Sequence, residues 1–253
     1  MPEVPKHHID SSVKWSDEIK YDGGLLVVEA ESFRSYINEF MKPFGDVPEC
    51  SSKGNFGIPV GEMSFCVRTL PTYEFRSPHY FAWSLGEPRW TRTYLSMSKR
   101  DRKMGHVTFT APIGIPVLHK NGDTWMSITP SELLSQRTAF RHARGHVLIG
   151  GMGMGWLARK VIALPKVKSV TVVEKDKGIA EFFSSSVSMS APAGKRVNVV
   201  VEDAYEFASR KLQGFNSILF DIWIGYGHAR YDRKWLELKQ KAREQKISAW
   251  AWD

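Results

Sequence analysis

Residues 147–155 read Val-Leu-Ile-Gly-Gly-Met-Gly-Met-Gly, an apolar run that passes straight into glycines at every second position. Residues 158–164 then read as a helix. A backbone that turns so sharply needs residues without a Cβ. The helix behind the turn offers unpaired N–H groups and the positive end of its dipole. Together they form an edge suited to a nucleotide-like ligand. Three acids follow in order. Glu174 closes the apolar run at 170–173, roughly 20 residues past the glycines, the place where a ribose diol is held in open α/β sheets. Asp203 follows the run at 197–201. Asp221 stands between Ile218-Leu219-Phe220 and Ile222-Trp223-Ile224, where a carboxylate needs a partner. Ligands of such sheets lie outside the carboxyl ends of the strands, so the three acids are expected to line one crevice.

Each of these residues also has a plainer account. The glycines could serve an ordinary strand–helix turn. Glu174 precedes Lys175-Asp176-Lys177, which reads equally as a solvated charge cluster. Asp203 could cap the helix that begins near Tyr205, a role compatible with ligand contact. Asp221 is the least expected as mere structure. A dinucleotide fingerprint, G-x-G-x-x-G, would need a small residue at position 156, where Trp156 stands.

The elements that must position these groups alternate. From residue 146 onward the pattern is β-α-β-α-β-α-β-α-β. A last helix covers roughly 232–245 and a fifth strand covers 247–252, which predicts a parallel sheet with right-handed crossovers. Upstream, residues 1–20 are polar and expected to be poorly ordered. Residues 25–28 predict a strand and 33–40 a short helix. The stretch from 44 to 110 is rich in Gly, Pro and aromatic residues and predicts short strands. Lys120-Asn121-Gly122-Asp123 predicts a hairpin turn, and a helix opens at Thr129-Pro130-Ser131-Glu132. The expected fold class is therefore α/β: a flexible N-terminus (1–20), a β-rich N-terminal region (21–128), and a Rossmann-like, mostly parallel sheet domain (129–253). No final hairpin follows the fifth strand, so the expected sheet is truncated. Its edge is left to the N-terminal region or to a second copy of the chain.

The chain has 253 residues and 42% hydrophobic residues, suited to one large domain or two small ones. No run approaches the roughly 18 apolar residues of a membrane span, and no apolar leader opens the sequence. Cys50 and Cys66 are the only cysteines and form no metal or redox spacing. They lead to an expectation of reduced thiols, a cytoplasmic setting and no metal. The net charge of +8 admits an acidic partner or nucleic acid, although no nucleic-acid motif is present.

From about Gly122 to Asp253 the sequence resembles the spermidine synthase-like branch of class I S-adenosylmethionine-dependent methyltransferases. The resemblance rests on the Gly151, Gly153, Gly155 spacing, the double glycine at 150–151, the strand-end acids, and the hairpin and helix ahead of the glycine strand. It implies S-adenosylmethionine as cofactor, in preference to NAD. Gly151, Gly153 and Gly155 would approach its methionine portion, Glu174 its ribose, and Asp203 with the Ala204 backbone its adenine. Asp221 would face its reacting end, and Gln136 its carboxylate or ribose.

Spermidine synthases carry an acid inside the glycine loop, where this chain has Met152-Gly153-Met154. They also carry an Asp-Pro motif after the fourth strand, where this chain reads Asp221-Ile222-Trp223-Ile224-Gly225. The Asn/Asp-Pro-Pro-aromatic motif of base-amino methyltransferases and a Pro-Cys nucleophile are missing too. The departures lead to an expectation of methyl transfer to a small-molecule or macromolecular acceptor, with Asp221, His228 and Tyr226 as the nearest groups to move a proton. Aminopropyl transfer to a polyamine, and a non-catalytic binder on the same fold, are the alternatives.

Overall fold

The computed structural model describes residues 6–9, 25–28, 30–50, 57–70, 106–109, 111–120, 123–223 and 228–252. The chain divides into two units. The first comprises residues 1–57, 66–117 and 127–135; the second comprises 58–65, 118–126 and 136–253.

In the first unit, β1 (Lys6–Ile9), β2 (Leu25–Val28) and β5 (His106–Phe109) form a parallel three-stranded sheet with β2 in the centre. Helix α1 (Ala30–Met41) buries Phe33, Ile37 and Phe40, a spacing of three and four residues that fixes one apolar face. A backbone pairing joins residues 48–50 to Val67: Val67 N donates to Pro48 O (2.9 Å) and Cys50 N to Val67 O (2.8 Å). That pairing sets Cys50 beside Cys66, their Cα atoms 5.2 Å apart, and the two form a disulfide. The expectation of reduced thiols is corrected here. Nothing in a separation of 16 residues signals the bond, which follows from the backbone pairing. The argument for a reducing compartment from free cysteines goes with it. Among the described residues no helix is long and apolar enough to cross a membrane.

The second unit is built on five parallel strands: β8 (Gly145–Gly150), β9 (Val167–Glu174), β10 (Arg196–Val201), β11 (Ser217–Phe220) and β12 (Ser248–Ala251), in the order β10-β9-β8-β11-β12. This is the Rossmann-like, α/β arrangement expected from the alternation of elements. The central strands are buried on both faces over residues 147–150 of β8 and all of β11, as their apolar runs 147–149 and 218–220 require.

Helices α3 (Trp156–Ala163), α4 (Lys177–Met189), α5 (Ala204–Lys211) and α6 (Arg233–Glu244) make the crossovers. Each of the last three starts at an aspartate, Asp176, Asp203 or Asp232, whose carboxylate accepts from backbone N–H groups of the first turn. Helix α3 instead starts at Gly155, with φ at +77°. Trp156, which rules out the dinucleotide spacing, is buried and stacks on Phe140 at 5.9 Å.

Two earlier pieces of chain belong to this unit. Strand β3 (Ile58–Val60) pairs antiparallel with the start of β4 (Met63–Leu70). The hairpin seats on α4, with the Phe65 ring 5.6 Å from Phe182 and 5.4 Å from Phe183. Strands β6 (Ile113–Lys120) and β7 (Asp123–Ser127) are neighbours, as the Asn-Gly turn predicted; the turn residues 121 and 122 lie outside the described set. Helix α2 (Pro130–Gln136) passes into a 3-10 segment, Arg137–Arg141. From that segment Thr138 Oγ1 accepts from Trp250 Nε1 (2.8 Å), tying it to β12.

Replacing Cys50 and Cys66 together by alanine is expected to cost about 3 kcal/mol, the chain-entropy value for a loop of this length. Thermal melts of the variant and of the oxidised wild type measure it. A wild-type midpoint unaffected by reductant would count against the bond.

Candidate functional site

The strands end in register. Gly150 pairs with Val173 on one side and Phe220 on the other, and Val201 pairs with Glu174. Gly151, Glu174, Asp203 and Asp221 therefore follow the ends of four adjacent strands along one edge, as the sequence predicts. Gly151 and Asp221 flank the point where the strand order reverses, the usual crevice for a ligand in such sheets.

Gly151 adopts φ +87°, and a Cβ there would lie 2.2 Å from the carbonyl oxygen of Asp221. The glycine is thus required by the neighbouring chain as well as by the turn. Gly153, at φ +50°, faces Met126 Sδ, which also accepts from Met154 N at 3.3 Å. Met126 escaped the sequence reading because it reads simply as an apolar strand residue. Glu174 uses both oxygens on the backbone: Oε2 accepts from Met152 N and Oε1 from Asp176 N, each at 2.8 Å. It is a clamp on the glycine loop, not a member of a free charge cluster. Asp203 takes Tyr205 N (2.9 Å) and Glu206 N (3.2 Å) on Oδ1 alone, leaving Oδ2 for other partners.

Asp221 differs from these acids. Its carboxyl takes the Gln136 side chain as partner, whose Nε2 donates to Oδ2 at 2.7 Å. The Lys195 ammonium is spent on Ile162 O and Leu164 O. Enclosure by protein atoms raises the Asp221 pKa to about 7. Gln136 is 1% exposed, and among the described residues its Oε1 has no hydrogen-bond partner. A buried polar atom left unpaired costs about 1–3 kcal/mol. The pair thus presents an unsatisfied acceptor and a carboxyl near neutrality side by side.

Residues 130–246 match the spermine/spermidine synthase domain. The resemblance read from the glycines and strand-end acids holds over this region. The chain is also similar to a polyamine aminopropyltransferase of Shigella sonnei (strain Ss046), 32% identical over 104 residues, which are 39% of this chain and 36% of that protein. It thus spans about a third of the length of the curated relative it matches. Two solved structures are similar at 20% identity and a TM-score of 0.33, each alignment covering 44% of this chain and 43% of theirs. They are a spermidine synthase in complex with the transition-state analogue AdoDATO and the spermidine synthase from Thermotoga maritima.

The spermine/spermidine synthase match and the aminopropyltransferase relative overturn the expectation of methyl transfer. The glycine spacing and the strand-end acids are common to both readings and cannot separate the two reactions. The preference for methyl transfer came from motifs missing beside them.

His228 is exposed just ahead of the 3-10 turn Ala229–Tyr231, and Tyr226 lies outside the described residues. Trp223 is half-buried, its Nε1 donating to Asp232 Oδ2 at 2.9 Å. Asp232 also accepts from Tyr205 Oη at 2.9 Å. Those hydrogen bonds hold its carboxyl below the usual range despite desolvation, which opposes them. In the sequence, the signal for this role was an aspartate immediately ahead of an amphipathic helix.

Two outcomes are expected from this geometry. Folded Asp221 stays protonated up to about pH 7, while an unfolded aspartate ionises near its ordinary 3.8. Between those values the native state holds the extra proton, so stability falls as pH rises through the window. Asp221→Asn keeps an acceptor for Gln136 and removes the enclosed charge. It should melt above wild type at pH 8, with the difference shrinking toward pH 5; a gap independent of pH would contradict the assignment. Gly151→Ala should destabilise more than Gly194→Ala. The latter also has positive φ (+81°) but opens into free space, so it carries only the conformational term of roughly 1–2 kcal/mol. Urea midpoints compare the two.

Proposed function

We propose that this chain transfers an aminopropyl group from decarboxylated S-adenosylmethionine to an amine. The observation that carries the reading is the buried, unpartnered Oε1 of Gln136 beside the Asp221 carboxyl. An amine or ammonium N–H is the donor that such an acceptor pair calls for. The spermine/spermidine synthase match supports the reaction class.

The glycine edge and the strand-end acids fit an adenosyl group. Glu174 spends one lone pair of each oxygen on the backbone, which leaves others for ribose hydroxyls. Asp203 Oδ2 and the Ala204 backbone would address adenine, and the turn that Gly151, Gly153 and Gly155 allow would meet the sulfonium side. When bound, the donor supplies an already activated carbon that an amine can attack directly, leaving a neutral thioether.

The protein's own work is alignment and proton removal. An acceptor amine is mostly protonated at neutral pH and must lose a proton before it attacks. A carboxyl whose pKa is about 7 is matched to take that proton near neutrality. Gln136 Nε2 fixes Asp221 Oδ2 in one orientation, and Gln136 Oε1 holds the amine. His228 and Tyr226, on the segment after β11, are proposed acceptor-side groups.

The test supplies decarboxylated S-adenosylmethionine with putrescine and with longer diamines, and follows methylthioadenosine by chromatography. Wild type should form it. Asp221→Asn should lose roughly 100-fold or more in rate, the scale of general base catalysis, while calorimetry shows the donor still bound. No methylthioadenosine with any amine, despite donor binding, would refute the proposal.

A further inference from the structure

A second concave site lies on the α5/α6 side of the sheet. It is a groove of about 600 Å³ between α5 with its following 3-10 turn (Leu212–Gly214) and α6. Its floor includes the buried side chains of Leu212 and Leu238, and its walls carry Arg210, Lys211, Lys234 and Lys241. Carboxylates compensate only part of this charge. Glu237, the acid in the lining, pairs with Arg233 at 2.9 Å, and Arg233 is not part of the groove. Glu202 pairs with Arg210. Among the described residues, Lys211, Lys234 and Lys241 have no carboxylate within ion-pairing distance.

Helix dipoles explain part of this arrangement. Arg210 and Lys211 end α5 and Lys241 lies in the last turn of α6, where cations are favoured. They do not explain Lys234, which stands in the first turn of α6, where a positive charge opposes the dipole. Its ammonium lies 5.8 Å from the centre of the Tyr205 ring, at the same end of the groove. Lys234 and Lys241 are seven residues apart, two turns along one helix face, so their Cα atoms stand about 10 Å from each other. Lys211 faces that row from α5. The result is three lysines without ion-pair partners among the described residues, with the acid Glu237 between Lys234 and Lys241, along one trough.

We propose that this groove binds a chain of phosphates, one ligand carrying several in sequence. Spaced ammonium groups along a trough match a linear run of negative charges better than a single anion. The site is separate from the Gln136–Asp221 pair and independent of the aminopropyl reading.

The experiment titrates the whole chain with inorganic tripolyphosphate and, separately, with a single-stranded RNA oligonucleotide, each at two salt concentrations. Both arms are repeated on Lys211→Gln/Lys234→Gln/Lys241→Gln. The control is Lys166→Gln/Lys168→Gln/Lys177→Gln, which removes the same charge elsewhere. Wild type and control should bind at least one of the two probes, more weakly at high salt, and the groove variant should bind at least tenfold more weakly. Tripolyphosphate binding assigns a free polyphosphate ligand; binding of RNA alone assigns the phosphates of a nucleic acid. Binding of neither probe, or equal losses in the two triple variants, would overturn the proposal.

Discussion

At Gly151 the backbone leaves β8 with φ at +87° and passes directly beneath the carbonyl of Asp221. Two hydrogen bonds hold it there. Gly151 N donates to Val173 O, and Asp221 N donates to Gly150 O, both at 2.9 Å. The first joins the glycine loop to β9 and the second joins β11 to β8, so the loop is stitched to strands on both sides of the reversal. Every other feature of the edge follows. Met152 points its N–H at Glu174, Gly155 can begin α3, and Asp221 emerges opposite Gln136. A side chain at position 151 would push β11 away and take Asp221 with it.

The acids along the edge divide by what they hold. Glu174, Asp176, Asp203 and Asp232 all accept from backbone N–H groups and fix the start of a helix or the path of a loop. Asp221 has a side-chain amide as its partner and a protein wall around it. Four carboxylates act as scaffold and one is set apart by desolvation, which makes its protonation responsive near neutrality. This division is chemical, and the sequence hints at it only for Asp221, which stands inside an apolar run.

The parallel sheet was legible because β8 and β11 carry the apolar runs 147–149 and 218–220 and their partners alternate with helices of ordinary length. The strand-end acids were legible because sheet register places successive ends side by side. The partner of Asp221 was harder to find. Gln136 lies 85 residues earlier and offers nothing but an amide on a short helix, so sequence made it only a weak candidate. The disulfide was hidden for a related reason, since it depends on a backbone pairing between residues 48–50 and Val67. Methyl and aminopropyl transfer share the adenosyl-binding residues. Weighing the missing loop acid and the missing Asp-Pro motif against aminopropyl transfer led to the methyl-transfer expectation that the family match overturns.

The position of Asp221 also bears on how the molecule comes together. Strands β8, β9 and β10 are consecutive, each joined to the next by one helix, whereas β11 must return past two of them to reach β8. Closing that long circuit carries a larger loss of chain entropy than pairing β8 with β9, and pairings distant in sequence form slowly. A nascent chain can therefore hold the glycine turn and Glu174 before it has any carboxyl opposite Gln136. The glycine turn and Glu174 come together from neighbouring segments, whereas Asp221 meets Gln136 only when β11 pairs with β8, a pairing that β12 must in turn await.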